Sequence, residues 1–210
     1  MEYDILKPVS SRSNGTKDAE NSRIKEIVDE FRRRCELYEA QFRNSKKDVT
    51  AFDYEQREAE RFAKEKGFWL PIDDIFTLGT PGPSGNENDT YVSDNFIYKV
   101  NNLLNSGTIL KCLQKIILHN TIFPDTSYSF HAFTGFNGRS VMPVFKQDFI
   151  KDAVPATRIE IETYMAALGF NKIIDEGKFS NGTYLVWDIV PRNVLKDKDG
   201  DIYVIDAEIK

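Results

Sequence analysis

Asp188 and Asn193 stand five positions apart near the end of a 210-residue chain, and Asp206 follows thirteen positions after Asn193. A carboxylate can carry a proton or hold a hard cation, and an amide oxygen beside it suits Mg²⁺, which takes oxygen ligands. Between Asn193 and Asp206 lies Asp199-Gly200, a dipeptide that favours a tight hairpin turn. Read as a two-residue type I′ turn, it makes facing positions sum to 399, so Leu195 faces Val204 and Asn193 faces Asp206. Directly opposed residues have Cβ atoms about 5 Å apart on one face of the sheet. Asp188 ends the strand Tyr184 to Trp187, and the short loop Ile189-Val190-Pro191-Arg192 keeps it near the pair. Three metal- or proton-handling groups thus gather at the open end of one hairpin.

Two other features gain meaning only in that company. Lys99 lies in the strand-like run Ile97-Tyr98-Lys99-Val100, where a solvated lysine is the default reading. Gly79, Gly82 and Gly85 are interleaved with Pro81 and Pro83, and such a stretch is by default a surface loop. Asp197, Asp199, Asp201 and Glu208 match positions 1, 3, 5 and 12 of a calcium loop, but Ile202 stands where that loop needs Gly. His119 and His131 read as core or hydrogen-bonded histidines. Asn14, Asn88 and Asn181 sit in glycosylation sequons that read as turns.

These groups need elements to hold them, and the charge pattern divides the chain. Residues 1–66 carry 15 acidic and 15 basic side chains, while the other 144 carry 18 and 13, so the whole net charge of −5 belongs to the second part. That balance excludes a strongly basic chain built to wrap nucleic acid. No run approaches a membrane-spanning helix, and Met1 to Ser10 lack a secretory core, so a cytoplasmic location is expected. Two cysteines 77 positions apart give no disulfide framework, and with two histidines they argue against a structural zinc site.

Ser10 to Asn21 is polar and reads as flexible. From Ser22, Ile24, Val28, Phe31, Cys35, Tyr38 and Phe42 form one helical stripe. It fits a helix packed on its own domain or, less well, a short dimerising coiled coil. A second helix is expected over Ala51 to Lys66, capped by Thr50 with Asp53 and stopped at Gly67. Arg32, Arg33 and Arg34, flanked by Asp29, Glu30 and Glu36, read as a solvated helix face. Strands follow at Thr90 to Val92 and Phe96 to Val100, then a helix from Thr108 to Asn120 with Ile109, Leu113, Ile116 and Ile117 on one face. Tyr128 to Phe136 and Arg139 to Lys146 flank Asn137-Gly138 as a hairpin, with Pro143 marking an edge strand or the end of pairing. A helix over Thr157 to Leu168 and short strands complete an α+β pattern.

Asp188 with Asn193 is similar to the D-x-x-x-x-N of the protein-kinase catalytic loop, and Asp206 stands where kinases place the Asp of D-F-G. Ile97 to Val100 is similar to the V-A-I-K strand, preceded by glycines as in a glycine-rich loop. More narrowly, residues 54–210 resemble the polyvalent-protein kinase domain of bacterial, Bacteroidetes-type mobile elements. The resemblance is carried by the stretches from Gly82 to Tyr91, Tyr98 to Asn102, Pro191 to Leu195 and Asp201 to Glu208. It implies a minimal protein-kinase-like fold, with an antiparallel small-lobe sheet and a truncated helical and β-hairpin lobe behind an N-terminal helical extension. The implied divisions are a flexible start over 1–21, the extension over 22–66, a small lobe over 67–147 and a reduced large lobe over 148–210. A hinge is implied near Phe145 to Asp148.

The resemblance also implies roles. Lys99 would pair with nucleotide phosphates, covered by backbone amides from Gly82, Ser84, Gly85 and Asn86. Asn193 and Asp206 would hold Mg²⁺, and Asp188 would take or orient the proton of an attacking hydroxyl. The implied activity is an Mg²⁺- and ATP-dependent phosphotransfer to an unknown hydroxyl acceptor, with no nucleic-acid or membrane partner. Departures keep a second class open: a catalytically inactive kinase-like module that binds a nucleotide, or a protein partner through the N-terminal helices. Val186 and Trp187 replace the His and Arg of H-R-D, and Asp206-Ala207-Glu208 replaces D-F-G, with Glu208 a further carboxylate for metal. Residues 100–124 contain no Asp or Glu, so Gln114, His119 or Glu87 must stand in for the acidic partner of Lys99. Four residues follow Asp206, which implies a large lobe without an activation segment.

Overall fold

The computed structural model describes residues 14–42, 50–136, 139–173 and 177–210. Helix α1 (Asn14–Phe42) begins inside the segment expected to be flexible, of which Ser10 to Ser13 lie outside the described residues. Packing of its apolar stripe explains the extension, because lengthening a helix already formed costs far less than starting one. Ile24, Ile27, Val28, Phe31 and Cys35 are buried; the side chains of Tyr38 and Phe42 lie outside the described ones. Helix α2 (Ala51–Lys66) starts and stops as its residues dictate. Asp53 N donates to Thr50 Oγ1 at 3.2 Å, and Thr50 N donates back to Asp53 Oδ2 at 3.2 Å. Gly67 takes the left-handed conformation at φ 72°, and its N–H reaches the carbonyls of Ala63 and Lys64.

A turn of 3₁₀ helix (Ile72–Leu78) leads into β1 (Thr80–Pro81), β2 (Asn88–Val92) and β3 (Phe96–Asn101). Helix α3 (Ile109–Ile122) then precedes β4 (Ser129–Phe136) and β5 (Arg139–Asp148). The five strands form one antiparallel sheet in the order β1-β2-β3-β5-β4. The turn expected at Asn137-Gly138 lies outside the described residues. Pro143 is not on an edge strand, since β5 pairs with both β3 and β4. Pairing with β3 ends at Val100↔Val144, however, so the proline sits where its missing N–H costs no ladder bond. The outer edge of β4 is covered in turn: Leu70 N donates to Phe133 O and Phe133 N to Phe68 O, each at 2.8 Å.

One face of this sheet meets all three helices. Phe31 of α1, Phe62 and Ala63 of α2, Ile109 and Leu113 of α3, and Phe130, Phe133, Val141 and Phe145 of the sheet share one core. The first two helices therefore cover the sheet rather than stand apart, and the stripe on α1 is a packing stripe. Each fully buried Phe contributes about 1.5–3 kcal/mol of transfer free energy. Of the three arginines, Arg32 and Arg33 pair with Asp29 and Glu30 on the surface. Arg34 instead bridges Glu30 of its own helix, at 2.9 Å, to Glu65 of α2, at 2.6 Å, above the Phe62 ring. On the opposite face of the sheet, Leu78, Tyr91, Val100, Ala132 and Val144 form a smaller cluster.

The rest of the chain builds a second core. It comprises β6 (Val154–Pro155), α4 (Arg158–Ala167), β7 (Asn171–Lys172), β8 (Phe179–Ser180), β9 (Leu185–Trp187), β10 (Val194–Lys196), β11 (Ile202–Val204) and β12 (Glu208–Ile209). These strands form two small sheets, β11-β10-β6 and β12-β9-β8-β7. Ile161, Met165, Phe179, Val186, Val194 and Val204 pack together beneath them. No helix among the described residues is long and apolar enough to cross a membrane.

The β10–β11 hairpin departs from the expected register. Val194 pairs with Val204 and Leu195 with Tyr203, so facing positions sum to 398 rather than 399. The turn has three residues, closed by Asp197 N to Asp201 O at 3.0 Å, with Gly200 left-handed at φ 91°. The Asp197 carboxylate fixes it by accepting from the backbone N–H groups of Asp199 and Asp201, both at 2.9 Å. Asp197 thus serves as a turn residue, against the calcium-loop reading.

Candidate functional site

β3 runs between β2 and β5, with Lys99 opposite Thr90 on one side and Phe145 on the other. A lysine there is 6% exposed, and its ammonium must find partners inside. Lys99 Nζ donates to Tyr128 Oη and to the Ile205 carbonyl, both at 2.8 Å, and stands 4.8 Å from the centre of the Tyr128 ring. The Tyr128 hydroxyl donates to the same carbonyl at 2.7 Å. The lysine is thereby anchored at the residue immediately before Asp206. Burial pulls its pKa down, and the Asp206 charge pushes it back up.

None of the three expected partners reaches Lys99. Gln114 is exposed, and His119 turns its Nε2 to Thr126, 3.2 Å from the carbonyl oxygen. Glu87 is engaged elsewhere. Among the described residues no carboxylate lies within ion-pair distance of this ammonium.

Asp188 follows β9 with φ 61°, a conformation uncommon outside glycine and costing about 1–3 kcal/mol. It is held there from three directions. Val190 N donates to its carbonyl at 3.0 Å, and Asn193 Nδ2 to its carbonyl at 2.9 Å and its Oδ2 at 2.8 Å. Arg192 pairs with Oδ1. The Asp188 side chain remains 38% exposed, open to solvent. Asn193 spends its amide nitrogen on Asp188, and no described hydrogen bond claims its Oδ1.

Asn193 does not face Asp206. Its carbonyl accepts from Ile205 N at 2.9 Å, as the observed register requires. Asp206 lies past the end of β11, in the bend before β12, with Oδ1 accepting from Ala207 N at 3.0 Å. The structure thus brings Asp188 and Asn193 into contact and ties Lys99 to the neighbour of Asp206, and among the described residues no hydrogen bond joins Asn193 to Asp206. Among the described residues no group of three or more His, Cys, Asp or Glu side chains could hold a metal ion.

The glycine stretch is the β1–β2 hairpin. A Cβ on Gly79 would meet Val92 O at 2.3 Å, and one on Gly82 would meet Thr90 Oγ1 at 2.7 Å; Gly85 faces open space. Gly82 N donates to Thr90 O and Gly85 N to Asn88 O. Two of the four backbone N–H groups expected to face phosphate are therefore spent inside the hairpin. Those of Ser84 and Asn86 make no described hydrogen bond.

The residue that sequence reasoning missed is Lys115 of α3. Its ammonium lies 3.0 Å from Glu87 Oε2, beside the hairpin tip, and 2.7 Å from Glu208 Oε1, two residues past Asp206. Asn105 Nδ2 donates to both carboxylates, at 3.2 and 3.1 Å, and Ser106 Oγ to Glu87 at 3.3 Å. Burial works against the ammonium, but the two carboxylates win and hold its pKa above the usual lysine range. A signal was present: Lys115 lies on the same helix face as Cys112, Ile116 and His119, all buried.

Antiparallel sheets, a helix between the third and fourth strands, and a buried lysine on the third make a mixed α+β arrangement consistent with a kinase-like domain. The chain belongs to the family of Serine/Threonine/Tyrosine kinases found in polyvalent proteins, whose model matches residues 53–210. That span takes in most of α2, the whole second core and every site residue described above, and leaves outside it α1, whose buried residues belong to the first core. No curated protein matches the chain.

Proposed function

We propose that the chain is an Mg²⁺- and ATP-dependent phosphotransferase acting on a hydroxyl acceptor, a reduced kinase whose small lobe spans about 67–147 and whose large lobe spans about 148–210. The observation that carries this reading is Lys99: a buried ammonium without a carboxylate partner among the described residues, anchored beside Asp206. Such a charge is matched by an anionic ligand, and nucleotide phosphates supply one. The donor set also fits Mg²⁺. Asn193 Oδ1 and Asp206 Oδ2 are hard oxygens free of described hydrogen bonds, and Mg²⁺ is commonly held by one or two such groups with substrate phosphates completing its shell. Bound there, the ion would neutralise charge on the transferred phosphoryl group.

The remaining roles fall to the chain itself. Ser84 and Asn86 offer backbone N–H groups to phosphate; Gly82 and Gly85 shape the turn that presents them. Asp188, exposed and held in a strained conformation, accepts or orients the proton of the attacking hydroxyl. A mobile-element setting in bacteria belongs to the same proposal. One observation favours a second reading, a nucleotide- or protein-binding module without catalysis: both Asp188 carboxylate oxygens are engaged, by Arg192 and Asn193. Phosphate release from Mg-ATP separates the two. Wild type should exceed Asp188→Ala by about a hundredfold or more, the usual contribution of a general base. Equal rates at background level would leave only the binding module.

A further inference from the structure

We infer that Lys115 is the positioning residue that ties α3 to the Asp206 segment, with the charges reversed relative to other kinases. In those, the corresponding helix supplies a glutamate to the strand lysine. Here α3 supplies an ammonium, and the carboxylates come from the elements around it. Glu87 belongs to the β1–β2 hairpin, and Glu208 opens β12, paired with Trp187 of β9. Lys115 is 12% exposed and Glu87 7%, so neither charge is satisfied by water if the other is removed. Asn105 and Ser106 complete the carboxylates' hydrogen bonds from the loop before α3.

The arrangement fixes Asp206 from both sides. On its N-terminal side, the Ile205 carbonyl is held by Lys99 and Tyr128, and Ile205 N by Asn193. On its C-terminal side, Glu208 is held by Lys115 and Asn105. Only Asp206 and Ala207 lie between these anchors. The same ammonium holds Glu87, whose carbonyl accepts from Asn102 N at 2.9 Å, so the hairpin over the site is referenced to the same point. Reversing the charges leaves Lys99 without a helix carboxylate and its ammonium available to a phosphate. This rests on Asp206 as a metal-holding residue, but the anchoring itself can be read without nucleotide.

Amide hydrogen exchange on the nucleotide-free protein tests it. Lys115→Met should speed exchange at Ala207, whose N–H donates to Asp206, and at Asn102 by about tenfold or more relative to wild type. Buried strands of the second core should keep their protection. Lys115→Arg keeps a cation between Glu87 and Glu208 and should keep exchange at Ala207 close to that of wild type. Unchanged exchange at both amides in Lys115→Met would overturn the inference. So would a uniform rise across the chain in Lys115→Met, which would make Lys115 a general stabiliser. Mg-ATP titration of the same proteins distinguishes the levels. Failure of wild type to bind counts against the nucleotide reading, whereas wild-type affinity in Lys115→Met counts against Lys115 alone.

Discussion

The environment of His119 shows how closely the charges around Lys99 are balanced. The imidazole is fully buried, and its pKa is pulled down to about 3, first by burial and then by the neighbouring Lys99 charge. The folded state favours the neutral ring, while the unfolded chain protonates near the ordinary histidine value of 6.5. Stability from this site is complete above that value and is lost as pH falls from 6.5 towards 3. His131, edge-on against the Tyr98 ring, shifts in the same direction through partial desolvation of the imidazole and the Lys146 charge. The urea midpoint should therefore fall from about pH 7 to about pH 5, and fall less in His119→Gln. A flat midpoint over that interval in wild type would contradict neutral burial. At this scale the sequence was partly legible. Asp188 with Asn193 is a local spacing, and the two side chains meet, whereas the expected pairing of Asn193 with Asp206 does not form. Lys115 owes its role to Glu208, 93 positions away, which no local pattern reveals.

α3 is set in place from outside itself. Its N-terminal amides are capped by Thr108, through Lys111 N at 3.2 Å, and by Glu55 of α2, which accepts from Ile109 N and Leu110 N, both at 2.9 Å. Burial raises the Glu55 pKa, and the two backbone donors oppose that rise. A carboxylate at a helix N-terminus is also favoured by the helix dipole. Glu55→Ala would leave one buried and one partly buried donor unpaired at a cost of about 2–3 kcal/mol in urea unfolding, with Glu55→Gln costing less. A loss below about 0.5 kcal/mol for Glu55→Ala would show that the cap is not needed. Elements whose ends are written locally were legible: the capping box at Thr50 with Asp53 falls where expected, and the helix expected over Thr157 to Leu168 forms as α4, its start closed by a second box at Thr157 with Glu160. The β10–β11 register was not. Asp199-Gly200 permits two- and three-residue turns alike, and the Asp197 side chain decides between them by binding the Asp199 and Asp201 N–H groups. Of the two readings of Pro143, the end of pairing holds and the edge strand does not: pairing with β3 stops beside it, within a strand paired on both sides.

At the scale of the whole molecule, two cores meet where Lys99 touches Ile205. The first is roofed by α1 and α2, so the family's kinase domain carries a helix, α1, whose Phe31 is packed among the residues of that domain. The net charge of −5 sits in the part of the chain that holds Asp188 and Asp206, and the proposed ion would offset it there. A ligand contacting both cores would bind only their assembled form and stabilise it by mass action, about 2.7 kcal/mol at a hundred times Kd. Isothermal titration with Mg-ATP tests this most directly. The account predicts saturable, Mg²⁺-dependent heat with wild type and its loss in Asp206→Ala. No heat from wild type with either Mg-ATP or Mg-GTP would contradict it.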